Sequence, residues 1–445
     1  MKRDIYQDLV AWKGSTRRKP LLLKGARQTG KTYLLKEFGQ QEYEQVCYFN
    51  FEEEPGLKDL FNSSLNPVKL LSNLAIFLKK EIRPGRDLIV FDEIQVSNEA
   101  LNALKYFAED ANDYHIAAAG SLLGVKLSKQ KSFPVGKVNF INLHPLTFVE
   151  FLNAVGESRY RDLLQSLTVP EPLPPPFHEE LLGLLRKYCV TGGMPEVVDH
   201  YARTGDLPGV REIQKEILSS YVLDFAKHAP TSDIPKLSLI WNSIPAQLAR
   251  ENRKFMFSAI RSGARAREYE NALIWLDDAG LIHRAFPVTA PRLPLSSYAN
   301  RDAFKVYTMD VGLLGAMSGL SPSALIEGNR LFTEFKGALT ENFVAQQLHS
   351  SFQSELFYWT SQAQAEVDFI CQANDLICPL EVKSGENTRA RSLTSYAVRY
   401  HPPWLVSATL MNFKRTGSRV NIPLYAMSTL PSLLGHLNAT DGSVL

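Results

Sequence analysis

The sequence predicts a mixed α/β protein whose first part is a parallel β-sheet covered by helices, and three observations predict it. Short apolar runs alternate with helical segments from about Lys19 to Leu143. A glycine-containing loop separates the first apolar run from the helical segment after it. A later apolar run ends in two adjacent carboxylates, Asp92 and Glu93.

The runs are Pro20–Lys24, Val46–Phe51, Asp87–Phe91, His115–Ala119 and Lys137–Leu143, with helical patterns such as Thr32–Phe38 and Val68–Lys80 between them. Apolar strands spaced by helices read as a parallel sheet buried on both faces. Prolines at 170, 172, 174, 175 and 176 then exclude both a helix interior and a central strand, so this stretch is a stiff connector. Phe177 to about Lys227 reads as helical, broken by Thr191-Gly192-Gly193-Met194-Pro195. Ile234 to Val288 reads as helices followed by a β-like segment, His283–Val288, with Gly280 suited to a helix C-terminus. That outline is winged-helix-like. From Thr333 to about Leu430 come a helix (Glu334–His349), strands Glu355–Thr360, Glu366–Gln372 and Leu376–Lys383, and then mixed structure. The expected divisions are 1–168 for the sheet core, 169–230 for connector and helical lid, 231–325 for the winged-helix-like segment, and 326–445 for the last α/β unit.

At 445 residues the chain exceeds one ordinary core; roughly 150 residues per domain suggests about three. The formal charge of +2 gives no strong overall field, so DNA as a partner would require a local basic patch. Cys47, Cys189, Cys371 and Cys378 are scattered without a CxxC pair, which excludes a zinc ribbon or a disulfide scaffold as the expectation. No stretch approaches the ~18 apolar residues of a membrane span, and the N-terminus lacks a signal-peptide core. The expectation is a cytoplasmic protein without a membrane partner.

Gly25-Ala26-Arg27-Gln28-Thr29-Gly30-Lys31-Thr32 fits G-x-x-x-x-G-K-S/T at every fixed position, between a strand and a helix as the motif requires. Gly25 and Gly30 let the backbone curl until its N–H groups face phosphates, and the following helix directs its positive end at the same charge. Lys31 is expected to reach the β- and γ-phosphates of ATP, and the Thr32 hydroxyl to coordinate Mg²⁺. Asp92, at a strand's C-terminal end beside this loop, is expected to hold Mg²⁺, and Glu93 to orient the attacking water. Ser121, at the end of the next strand, is either a γ-phosphate sensor or a helix N-cap. Arg27 or Lys137 could add positive charge, and spacing singles out neither.

These residues, together with Phe133-Pro134-Val135-Gly136-Lys137-Val138 and Leu143-His144-Pro145-Leu146-Thr147-Phe148-Val149-Glu150-Phe151, resemble the AAA+-type prokaryotic ATPases related to archaeal ATPases and STAND NTPases. The resemblance implies a P-loop NTPase sheet with a helical lid and a C-terminal domain of unknown function with a restriction-endonuclease-like core. It also implies that Gly193-Met194-Pro195 matches a Gly-x-Pro element near the nucleotide, adding Pro195 to the candidate cofactor residues. Relatives often show arginine where Lys137 stands, which leaves that position without an assigned role.

In the last segment Glu381 and Lys383 share one strand face, and Asp368 lies on the adjacent strand. Two carboxylates there would bind a divalent metal, with Lys383 orienting water. The arrangement is similar to the PD-(D/E)xK nucleases, and that similarity adds Glu341, on the preceding helix, as a further metal ligand. DNA cleavage and DNA holding both remain open at this stage. Arg261, Arg265 and Arg267 before a helix read either as DNA-contacting or as a solvated helix start. Three function classes follow: an ATP-hydrolysing enzyme with a nuclease-like domain, a STAND-like nucleotide switch with a silent one, and a simple DNA-tethering module with a silent C-terminal fold. A homo-oligomer is compatible with each.

Overall fold

The computed structural model describes residues 1–122, 124–125, 136–250, 254–323, 333–361, 365–384 and 391–441. The expected Phe133-Pro134-Val135 and Gly385 elements lie outside these residues. The chain forms two compact units: Lys2–His144 with Asp278–Leu281, and Met1, Pro145–Asp277 with Ile282–Leu445.

In the first unit, strands β1 (Leu21–Lys24), β2 (Gln45–Asn50), β3 (Asp87–Asp92), β4 (His115–Ala119) and β5 (Asn139–Asn142) form one sheet in the order β2-β3-β4-β1-β5. Every pairing is parallel. Successive side chains point to opposite faces, and β3 and β4 are buried along their whole length, which is why their runs are largely apolar. Leu21, Leu23, Leu88, Val90, Ala117 and Ala119 pack on one side, with Leu34, Leu35 and Phe38 of the helix Lys31–Glu42. Leu22, Ile89, Phe91, Ile116 and Ala118 pack on the other, with Leu101, Leu104 and Phe107 of the helix Asn98–Asp110. The mixed α/β architecture with a parallel P-loop-type sheet therefore follows from the two-sided burial of single strands. The fifth strand is shorter than the expected Lys137–Leu143.

The second unit begins with helices Phe148–Ala154, Ser158–Gln165, Pro175–Thr191, Pro195–Thr204, Leu207–His228, Ile234–Leu248, Phe257–Ile260 and Ala266–Asp278. The connector is anchored: Leu173 exchanges backbone hydrogen bonds of 3.0 and 2.7 Å with the Asn412 amide. A four-stranded sheet follows, in the order β7-β6-β8-β9, made of β6 (Ile282–Val288), β7 (Lys305–Thr308), β8 (Leu356–Thr360) and β9 (Glu366–Val367). A five-stranded sheet has the order β10-β11-β12-β14-β13, made of β10 (Phe369–Ala373), β11 (Leu376–Val382), β12 (Leu405–Thr409), β13 (Lys414–Thr416) and β14 (Arg419–Pro423). The expected boundaries at 168/169, 230/231 and 325/326 all fall inside this unit. β6 pairs in parallel with β8, so the winged-helix-like and C-terminal segments share a sheet.

The expected strand Glu366–Gln372 is two strands. β9 pairs with β8 and β10 pairs with β11, and the chain changes sheets at Asp368. The side chain explains the break: Asp368 Oδ2 accepts the Val382 N–H at 2.7 Å, a side-chain acceptor taking the bond an uninterrupted ladder would give to backbone. Among the described residues no helix is long and apolar enough to cross a membrane.

Candidate functional site

The loop after β1 is built from backbone angles that only certain residues take. Gly25 has φ +152°, and a Cβ there would lie 2.2 Å from the Leu143 carbonyl oxygen, so only glycine fits. Gly30 (φ +91°) starts the helix Lys31–Glu42 and turns the chain into it. Inside the loop the Thr29 hydroxyl donates to the Ala26 carbonyl at 2.8 Å. The Lys31 ammonium donates to the carbonyls of Gly25 (2.9 Å) and Ala26 (2.7 Å). Burial lowers the Lys31 pKa to about 8; Glu93 and Asp92 oppose the shift and Arg27 reinforces it. Gln28, at φ +64°, completes the turn.

β3 delivers Asp92 to this loop, two strand positions from β1. Asp92 Oδ2 accepts the Thr32 hydroxyl at 2.7 Å and the Tyr48 phenol at 2.8 Å, while Oδ1 accepts the Glu93 N–H at 3.1 Å. Thr32 and Asp92, each expected at Mg²⁺, are in direct contact with one another. Burial, with the bond to Asp92, holds the Tyr48 phenol above its usual pKa. Glu93 has φ +51°, a left-handed conformation that a side chain rarely takes and that clusters at functional turns. Its Oε2 accepts the Gln95 amide and, at 3.5 Å, the Ser121 hydroxyl. Ser121 therefore lies beside the second carboxylate. Lys137 instead pairs with Glu109 at 2.9 Å.

Three participants escaped the motif reading. Tyr48 sits on β2, Gln95 two residues past Glu93, and Arg3 near the N-terminus donates to the carbonyls of Thr29 (3.2 Å) and His144 (2.6 Å). Period-two alternation along β2 is the only signal that hinted at Tyr48, since it places Tyr48 and Asn50 on one side of the strand.

Pro195 belongs to the second unit, at the first turn of the helix Pro195–Thr204. The glycines before it are set by packing. The Gly193 N–H donates to Asp310 Oδ2 at 2.6 Å, and its carbonyl accepts the Leu146 N–H at 2.7 Å. A Cβ on Gly193 would come within 2.1 Å of the Leu146 carbonyl oxygen, and one on Gly192 within 2.1 Å of Asp310 Oδ1. Burial raises the Asp310 pKa against these hydrogen bonds.

In the C-terminal segment Glu381 and Lys383, expected on one strand face, form an ion pair, Lys383 Nζ to Glu381 Oε1 at 2.6 Å, and Glu381 Oε2 accepts the Leu393 N–H at 3.3 Å. Asp368 lies against the β11 backbone through Val382. Glu341 is buried and elsewhere engaged: its Oε1 accepts Lys305 Nζ at 3.1 Å and the Tyr307 hydroxyl. Among the described residues no group of three or more His, Cys, Asp or Glu side chains is arranged to hold a metal ion. The metal expected on Asp368, Glu381 and Glu341 does not fit these partners. Arg261, Arg265 and Arg267 are all solvent-exposed.

Comparison with known proteins supports the first unit's reading. Residues 17–152 match the family model of an AAA domain. Residues 182–324 and 336–427 match two domains of unknown function, DUF8612 and DUF4143. No curated protein matches the chain in sequence. Among solved structures, the Walker-type ATPase PABY2304 of Pyrococcus abyssi is 17% identical, with a TM-score of 0.45, over 71% of this chain and 95% of that one. The Orc1 protein of Aeropyrum pernix in complex with DNA is 14% identical, with a TM-score of 0.31, over 71% and 90%. PCH-2 of C. elegans is 13% identical, with a TM-score of 0.27, over 46% and 64%. All three scores lie below 0.5, so the family match is the comparison that bears on function. It supports an ATP-binding, AAA-type ATPase domain at residues 17–152.

Proposed function

We propose that the first unit binds ATP with Mg²⁺ at Gly25–Thr32 and hydrolyses it. The observation that carries this reading is the Thr32–Asp92 contact beside a buried Lys31 whose hydrogen-bond partners among the described residues are neutral carbonyls. Phosphate oxygens would replace those carbonyls as acceptors, and the charge of Lys31 would then be balanced by the ligand. The oxygen donors Thr32 Oγ1 and Asp92 Oδ2 suit Mg²⁺, which when bound screens phosphate charge. Glu93 would hold the attacking water and Ser121 would stand beside it. The test is phosphate release from ATP by the wild type and by Glu93→Gln, with nucleotide affinity measured on both. Unchanged release by a variant that still binds ATP removes Glu93 from the chemistry.

A second reading is a nucleotide switch with slow turnover, and the engagement of Glu93 by Gln95 and Ser121 favours it. A Gln95→Ala variant that turns over ATP faster than the wild type supports the switch. In either reading the C-terminal segment is endonuclease-like, with Asp368, Glu381 and Lys383 as its core, and DNA is its partner class.

A further inference from the structure

Lys305 lies outside every sequence motif, yet its side chain has no exposed surface. It stands on β7, an edge strand, and reaches two carboxylates from different elements. One is Glu341 Oε1 on the helix Thr333–Phe352, at 3.1 Å; the other is Glu366 Oε1 on β9, at 2.6 Å. The face of Tyr358, on β8, lies 5.0 Å from the ammonium. A buried ammonium is tolerated only when paired, and this one is paired twice.

We infer that Lys305 is the built-in cation of Glu341 and Glu366, taking the place that a divalent metal would hold at Glu341 in an endonuclease-like site. The inference rests on reading Glu341, Asp368 and Glu381 as one such site. A metal ion needs free carboxylate lone pairs at roughly 2.0–2.6 Å. Here Glu341 Oε1 already accepts an ammonium and a phenol, Glu381 accepts Lys383 and the Leu393 N–H, and Asp368 Oδ2 accepts the Val382 N–H. A dication at Glu341 would also sit against the Lys305 charge, and like charges a few ångströms apart repel strongly away from water. The cluster is thereby an ion-paired anchor joining β7 to the C-terminal segment, and the segment holds its partner without hydrolysing it.

Calorimetric titration of Mn²⁺ into the nucleotide-free full chain tests this. The wild type and Glu381→Gln should give the same isotherm, because any Mn²⁺ taken up sits elsewhere. A site present in the wild type and lost in Glu381→Gln overturns the inference. Lys305→Met should gain about tenfold in Mn²⁺ affinity, since an adjacent positive charge has been removed. A folded Lys305→Met that gains nothing also overturns it. If Lys305→Met does not fold, the wild-type comparison decides alone, and Lys305→Met/Glu341→Gln, with both charges gone, should fold. A gained site that survives in Lys305→Met/Glu381→Gln supports Lys305 as the internal cation, and overturns the grouping of Glu381 with Glu341.

Discussion

The two carboxylate clusters of this chain are stabilised in opposite ways. In the first unit the hydrogen-bond partners among the described residues are neutral: Lys31 is held by two backbone carbonyls, and Asp92 by the hydroxyls of Thr32 and Tyr48 and by a backbone N–H. In the second unit ammonium groups join the neutral donors: Glu341 and Glu366 pair with Lys305, and Glu381 with Lys383. Neutral partners orient a charge and leave it available to a ligand, whereas an ion pair cancels it. A cluster of acidic and basic residues is therefore read by what its charges touch rather than by which residue types it contains.

The largest effect expected is that of Lys31→Ala, which should lower kcat/KM for ATP by roughly 10²–10⁴-fold, measured by phosphate release. Normal turnover there would erase the contrast between the clusters. Glu93→Gln should bind a fluorescent ATP analogue normally and lose on the order of 10²-fold in turnover. On the other side, Lys305→Met should destabilise the fold by about 3–5 kcal/mol in chemical denaturation, because it leaves a buried carboxylate unbalanced. A loss below about 1 kcal/mol would place that pair in the class of surface ion pairs. Tyr48→Phe sharpens the comparison. It keeps the ring over Lys36 and removes one hydroxyl from Asp92. It should raise the Mg²⁺ concentration for half-maximal ATPase rate about tenfold, as loss of a partner that orients a metal ligand does, with a smaller change in kcat.

The smallest effect is a pH dependence. Lys31 titrates near 8 in the free protein, and only its charged form attracts phosphate. ATP affinity should therefore fall as pH rises through about 8, and binding below that should be flat. Stability of the free protein runs the other way. Between that value and the ordinary lysine range the unfolded chain binds the extra proton, so stability rises with pH across that window. An affinity that stays level through this window, measured by titration at several pH values, would mean that Lys31 does not set the binding charge.

Much of the first unit was legible because each signal was local. The glycine spacing, the apolar strands and the strand end at Asp92 lie within short windows, and the parallel sheet requires just such two-sided apolar runs. The helix break at Gly192-Gly193 and the close of a helix before Gly280 were legible for the same reason. What was not legible depends on pairing across distance. Tyr48 reaches Asp92 from another strand, and the alternation along β2 marks its side of the strand without naming its partner. Lys305 finds Glu341 and Glu366 only after β7 has joined β6, β8 and β9. Asp368 and Glu381, with Glu341 added by the resemblance, suggested a metal set, since chain order cannot show that a lysine from an earlier segment pairs with Glu341. The division of Glu366–Gln372 at Asp368 was hidden because Glu366-Val367-Asp368-Phe369 alternates across the break as one strand would, and the switch between sheets lies in a side-chain bond to Val382.

The parallel pairing of β6 with β8 has a practical consequence for dissecting the molecule. A fragment starting at residue 326 would retain the whole DUF4143 match yet lose the neighbour of β8, leaving that strand's backbone donors and acceptors open along one side. The same cut would remove Lys305 and Tyr307, both of which donate to Glu341 Oε1. Such a fragment is expected to self-associate through its open edge, and one starting before Ile282 to remain monodisperse. Excision of the last segment is thus governed by a sheet edge, and its autonomy ends where β6 begins.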